Sequence, residues 1–119
     1  MAKPTDYEFE GKKLKLCLSV SVVMEIKNRF GSLEKMGEKI EEEDSASALD
    51  DVTWIFAALS SAGAAYAKLK GEENVENWTY EELIHLVDLQ DLEEIMGIVS
   101  AAISGSKETT VEAEAGKNA

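Results

Sequence analysis

The sequence predicts a mainly α fold: about five helices with a small N-terminal β-hairpin, in a single domain. Three observations predict it. Residues 7–18 alternate apolar and polar with period two about Gly11. From Ser19 the apolar residues switch to helical spacing, which returns in four further segments. At 119 residues the chain has the length of one domain, and no internal repeat or linker divides it.

The hairpin reading rests on "YEFEGKKLKLCLS". Tyr7 and Phe9 share one face of the first arm, and Leu14, Leu16 and Leu18 one face of the second, with Gly11 at the turn where the backbone must be permissive. Two strands alone are marginal, so the leucine face is expected to lie on helices. Lys13 and Lys15 point outward and discourage pairing with other chains.

A first helix follows in "SVSVVMEIKNRFG", with Val22, Val23, Ile26 and Phe30 at helical spacing, Ser21 as the expected cap and Gly31 as the stop. A short second helix is expected in "SLEKMGEKI", with Leu33, Met36 and Ile40 apolar, and "EEEDSAS" reads as an acidic loop. The third helix, from about Ala48 to Lys70, carries a stripe of Leu49, Val52, Ile55, Phe56, Leu59, Gly63 and Tyr66. Its other side is small rather than charged: Ala57, Ala58, Ser61, Ala64 and Ala65, with Trp54 beside them. Such a helix either runs through the middle of the domain or turns its small side to another molecule. Trp54 has two readings as well, a second internal contact or an interface anchor.

Six carboxylates and no lysine or arginine fall in "WTYEELIHLVDLQDLEEI". Helix starts account for most of them. Thr79 with Glu82 forms a capping box, Trp78 with Leu83 the matching staple, and Asp91 with Glu94 a second box before the stripe Leu92, Ile95, Met96, Val99 and Ile103. Residues 1–104 therefore read as one folded unit with helices from about residue 21, and residues 105–119 as a disordered tail.

Net charge is −12, and the surplus of acid lies beyond Met36. A surface this negative repels phosphate backbones, which argues against nucleic-acid binding. No run of apolar residues is long enough to span a membrane, and no secretion signal opens the chain. Cys17 is the single cysteine, so no intrachain disulfide can form. His85 has no second histidine or cysteine at ligand spacing and reads as a partly buried packing residue in the middle of a helix. Glu41 to Asp44 lacks the alternating ligands and glycine of a calcium loop, and "GSLEKMG" lacks the lysine-serine ending of a phosphate loop. Neighbouring glutamates such as Glu81 and Glu82 point different ways on a helix. No catalytic residue, cofactor site or metal site is expected, and the chain does not read as an enzyme.

The order of "YEFEGKKLKLCLSVSVVMEIKNRFGSLEKM", an acidic spacer, "LDDVTWIFAALSSAGAAY", "WTYEELIHLVDL" and "DLEEIMGIVSAAI" resembles the tail assembly chaperones of long-tailed, non-contractile bacteriophages and prophages, over roughly residues 7–104. The resemblance implies a non-enzymatic protein of the bacterial host cytoplasm. It would coat the tape measure protein, keep it soluble, help recruit tail tube protein, and be absent from the mature virion. It also implies a longer product made by frameshifting, and the codons of Gly116-Lys117-Asn118 can contain a slippery run of adenines. Repeated copies along a filamentous client would touch, so a homo-oligomer is expected. Helix geometry, not the family, puts the client-binding surface at Trp54, Ala57, Ala58, Ser61, Ala65 and Tyr66. Two other readings are a virion structural or connector protein and an acidic DNA-mimic inhibitor.

Overall fold

A computed structural model describes the backbone of residues 4–111 and the side chains of residues 4–104. β1 (Thr5–Phe9) and β2 (Lys12–Leu16) form an antiparallel hairpin in which Tyr7 faces Leu14 and Phe9 faces Lys12. The two-residue loop puts both Glu10 (φ 47°) and Gly11 (φ 83°) in the left-handed region, the geometry whose twist matches the strands. Glycine adopts it freely; Glu10 does so against its Cβ.

α1 (Val20–Phe30) starts after Ser19, not at Ser21. Neither serine caps it; their hydroxyls bond each other at 2.7 Å. Gly31, at φ 102°, ends the helix as expected and donates its N–H to the Lys27 carbonyl. Val22 and Ile26 are buried, whereas Val23 lies outside the stripe and is exposed. α2 (Leu33–Glu42) is capped by Ser32, which accepts from the Lys35 N–H. The acidic loop shrinks to two residues: Glu41 and Glu42 finish α2, and Asp44 caps α3 by accepting from the Ser47 N–H at 2.7 Å.

α3 (Ser45–Leu69) has 25 residues, starts one turn earlier than the sequence suggests, and is the centre of the molecule. Ile55, Phe56 and Leu59 have no exposure at all. The hairpin, α1, α2 and the C-terminal helix each pack on it. Phe56 meets Phe9 edge-to-face at 5.6 Å and Tyr7 at 5.9 Å, so the aromatic face of β1 is seated there.

Residues 70–79 then cross to the hairpin without helical structure. Trp78 donates its indole N–H to the Phe9 carbonyl at 2.9 Å. Lys12 donates to the Asn77 carbonyl at 2.9 Å and sets its ammonium 3.9 Å from the Trp78 ring centre. The Thr79–Glu82 capping box is present in both halves, but the helix it starts is a single turn, α4 (Tyr80–Leu83). The second box moves one turn upstream. Asp88, not Asp91, is the cap: it accepts from Gln90 while Asp91 accepts from the Asp88 N–H, closing a 3-10 turn, Leu89–Asp91.

α5 (Leu92–Val111) follows directly. Ile95, Val99 and Ala102 are buried, and Leu92, Met96 and Ile103 half-buried, along the stripe the sequence predicts. The expected tail begins at residue 105, yet the backbone remains helical to Val111; no proline interrupts it, and loss of an apolar stripe does not by itself end a helix. Residues 112–119, the rest of that expected tail, lie outside the described residues. Among the described residues the fold is four α-helices packed around a fifth, α3, with one two-stranded hairpin. No described helix is long and apolar enough to cross a membrane.

Candidate functional site: one face of the central helix

The small residues of α3 meet two different fates. Toward its C-terminus, Gly63, Ala64 and Ala67 are buried against β2, with a concavity of about 210 Å³ left between Ala64, Ala67, β2 and residues 72–76. A Cβ on Gly63 would stand 1.7 Å from the Lys15 carbonyl oxygen, so strand backbone lies directly on helix backbone. One turn upstream, the Cys17 N–H donates to the Leu59 carbonyl at 3.1 Å. The hairpin, rather than a foreign helix, explains why this half of α3 is built from glycine and alanine.

Nearer the N-terminus another face, roughly 120–180° round the helix axis from Gly63, stays open. Trp54, Ala57, Ala58 and Ser61 line a concavity of about 270 Å³ with Tyr80 and with Glu25 of α1. Ala57 is buried at its floor, Trp54 and Ala58 are half-buried, and Ser61 is exposed. Asn77, Thr79 and Glu81 complete the far wall, held by the Ser60–Asn77 hydrogen bond and by the α4 capping box. Ala65 and Tyr66, predicted with this group, lie outside the concavity. Ala65 is exposed, and Tyr66 is half-buried with the Lys70 ammonium 5.6 Å from its ring centre.

Trp54 is an internal contact and a wall of the concavity at once. Its ring meets Phe30 edge-to-face at 5.9 Å, and the Arg29 guanidinium lies 4.7 Å from it. The internal partner is therefore α1. Arg29 is itself placed by Asp51, which is 4% exposed and accepts from Arg29 at 3.0 Å and from Lys39 of α2 at 2.6 Å. Lys39 also reaches Glu43 at 2.7 Å, and Arg29 reaches Asp50 at 3.6 Å. Tyr80 donates to Asp50 at 2.5 Å, which joins α4 to the same cluster.

Burial by itself would raise the Asp51 carboxyl, but hydrogen bonds from Lys39 and Arg29 outweigh it and hold the group below the usual aspartate range. Glu43 moves the other way. Burial raises it first, the Asp51 charge adds to the rise, and its Oε2 is buried without a hydrogen-bond partner. This buried polar cluster has no signal in the apolar periodicity. Asp51 reads as an ordinary charged residue until α1 and α2 are seen to converge on it.

The reactive residues stand apart from this face. Cys17 is buried, and burial pushes its thiol up, away from the thiolate a nucleophile requires. His85 is exposed in the turn after α4 rather than partly buried in mid-helix, because α4 ends at Leu83. Tyr7 donates to Glu94 at 2.6 Å, and burial followed by that carboxylate lifts its phenol above the ordinary tyrosine range. No described group of three or more His, Cys, Asp or Glu could hold a metal ion.

No protein-family model, no curated protein and no solved structure matches this chain.

Proposed function

We propose that the protein is a phage tail assembly chaperone which binds amphipathic helical segments of a tape measure protein and keeps them soluble until tail tube subunits arrive. The observation that carries the reading is the open small-residue face of α3. There, alanines with little side chain allow a client helix to approach closely beside a tryptophan already fixed by Phe30 and Arg29. A strongly acidic exterior would keep client-bound assemblies dispersed. The order of hairpin and helices along the chain supports the same reading through its resemblance to the phage proteins. On this proposal the protein acts as a homo-oligomer in the host cytoplasm, leaves before the virion is complete, and passes tail tube protein to the complex through a frameshifted longer product.

The DNA-mimic alternative draws less support. It needs carboxylates in extended outward rows, whereas Asp44, Glu82, Asp88 and Asp91 bond to backbone N–H groups at helix starts and Asp51 is buried. Co-expression with the tape measure protein of the same genome tests the proposal. Its soluble yield should rise several-fold, and the protein should be missing from purified virions. An unchanged yield contradicts the chaperone reading, and retention in virions favours a structural or connector part.

A further inference from the structure

A second concave surface shares no lining residue with the Trp54 face. It is a trough between α2 and α5, floored by Val52 and Ile55 of α3. Its open end, about 770 Å³, lies among Leu18, Leu33 and Ile103, and it continues as a narrower stretch of about 170 Å³ past Ile40 and Met96. Met36, Ser100 and Ile103 line both stretches, so the two are continuous. Leu33 is 36% exposed at the rim.

We infer that this trough docks an amphipathic α-helix of a partner protein, with an apolar ridge and basic flanks. Two helices standing over a third make walls and a floor of the shape that receives a helical ridge. Met36 and Met96 add unbranched side chains that adjust to different ridges. Charge decides among occupants. Among the described residues, the charged side chains lining the trough are Glu34 and Glu41, with no lysine or arginine, on a chain of net charge −12. A helix flanked by lysine or arginine pairs with that rim, and an acidic one is repelled. A two-fold contact with a second copy through this trough would bring the two acidic rims together. Residues 112–119 offer Glu112, Glu114 and a single base, Lys117, and no large aliphatic side chain to form a ridge. The trough is thus matched to a basic partner and poorly matched to the protein itself. The inference stands on its own geometry and holds for a helix binder of any pathway.

The test uses the full chain and labelled synthetic peptides of about 18 residues, roughly five helical turns. One has a leucine stripe flanked by lysines. A second keeps the stripe but has glutamate flanks, and a third keeps the leucine-lysine composition with the stripe scrambled. Fluorescence anisotropy should show the first binding at least about tenfold more tightly than either control. Leu33→Asp should weaken it by about tenfold, since Leu33 is the first residue of α2, where an acid is compatible with the helix. Glu34→Lys with Glu41→Lys should weaken it severalfold, while Glu73→Lys, on an exposed loop outside the trough, leaves it within about twofold.

Methyl resonances of Met36, Met96 and Ile103 in the unsubstituted protein should shift on titration, a readout that does not depend on any variant folding. Equal binding of the scrambled peptide, or shifts confined to other methyls, overturns the inference. So does equal binding of the glutamate-flanked peptide. A dimer that Leu33→Asp converts to monomer in sedimentation would assign the trough to a second copy and overturn it too. None of these outcomes involves a tape measure protein, so the chaperone proposal is tested separately.

Discussion

Small residues stand on two different faces of α3 for different reasons. Around Gly63, Ala64 and Ala67, smallness lets the protein's own hairpin lie against helix backbone. Around Ala57, Ala58 and Ser61 no segment of the chain fills the space, and a concavity remains. A run of alanines therefore reports close approach without naming what approaches. The path of the hairpin, whose Lys15 backbone lies on Gly63, marks the closed face as structural; no strand crosses the open face at Ala57, Ala58 and Ser61.

The closed face gives the largest expected effect. Gly63→Ala drives a methyl into the Lys15 carbonyl, where backbone rather than a flexible side chain must yield. The cost should be about 3 kcal/mol, the upper part of the range for overpacking, read from denaturant midpoints at unchanged m. A loss under about 0.5 kcal/mol would show that the hairpin is not seated as described.

Next comes the cluster that positions Trp54. Asp51→Asn removes the acceptor shared by Arg29 and Lys39. Both cations remain partly solvated, their side chains being 33% and 54% exposed, so the loss should be about 1–2 kcal/mol, below the range for breaking a fully buried pair. The wild-type pH profile carries the same cluster. The Asp51 carboxyl titrates below its unfolded value, so its contribution is complete above the ordinary aspartate range and is lost as pH falls through the depressed value. Acid unfolding of Asp51→Asn should consequently be shallower than that of wild type over that window.

Glu10→Asn sharpens the comparison from the hairpin side. Asparagine tolerates positive φ at the first turn position, so stability should rise by about 0.5 kcal/mol in thermal unfolding. Smaller still is Glu43→Gln. A carboxyl raised by burial contributes fully below the ordinary glutamate range and loses that contribution as pH rises through its folded value. The substitution should raise the thermal midpoint slightly near neutral pH and leave it unchanged near pH 4. A rise at acid pH alone would reverse the sign assigned to Glu43.

Local signals were legible in the residues. The Thr79–Glu82 box, the Gly31 stop, the period-two hairpin and the apolar stripe of α5 each depend on neighbours within a few positions, and each is found. What was not legible depends on distant pairings. Helical spacing places Gly63 within a stripe but says nothing of a strand carbonyl contributed from residue 15. One local feature also differs: periodicity extends α4 past Leu83 and puts the second box at Asp91–Glu94, whereas α4 ends at Leu83 and the box is Asp88–Asp91. Four of the six predicted contact residues line one concavity because they share a helix face; Ala65 and Tyr66 fall away as that face passes beyond Asn77 and Tyr80. The α2–α5 trough joins Met36 to Ile103, two residues whose separate stripes carry no hint of each other.

Ala58 is half-buried in the wall of the open concavity, where the proposed client helix would approach. The deciding measurement is Ala58→Asp, assayed for its own thermal midpoint and for the soluble yield of co-expressed tape measure protein. The midpoint should stay within about 4 °C of wild type, as a change of less than about 1 kcal/mol implies, while the yield falls to that of the client expressed alone. A folded variant that protects the client as well as wild type would contradict the account.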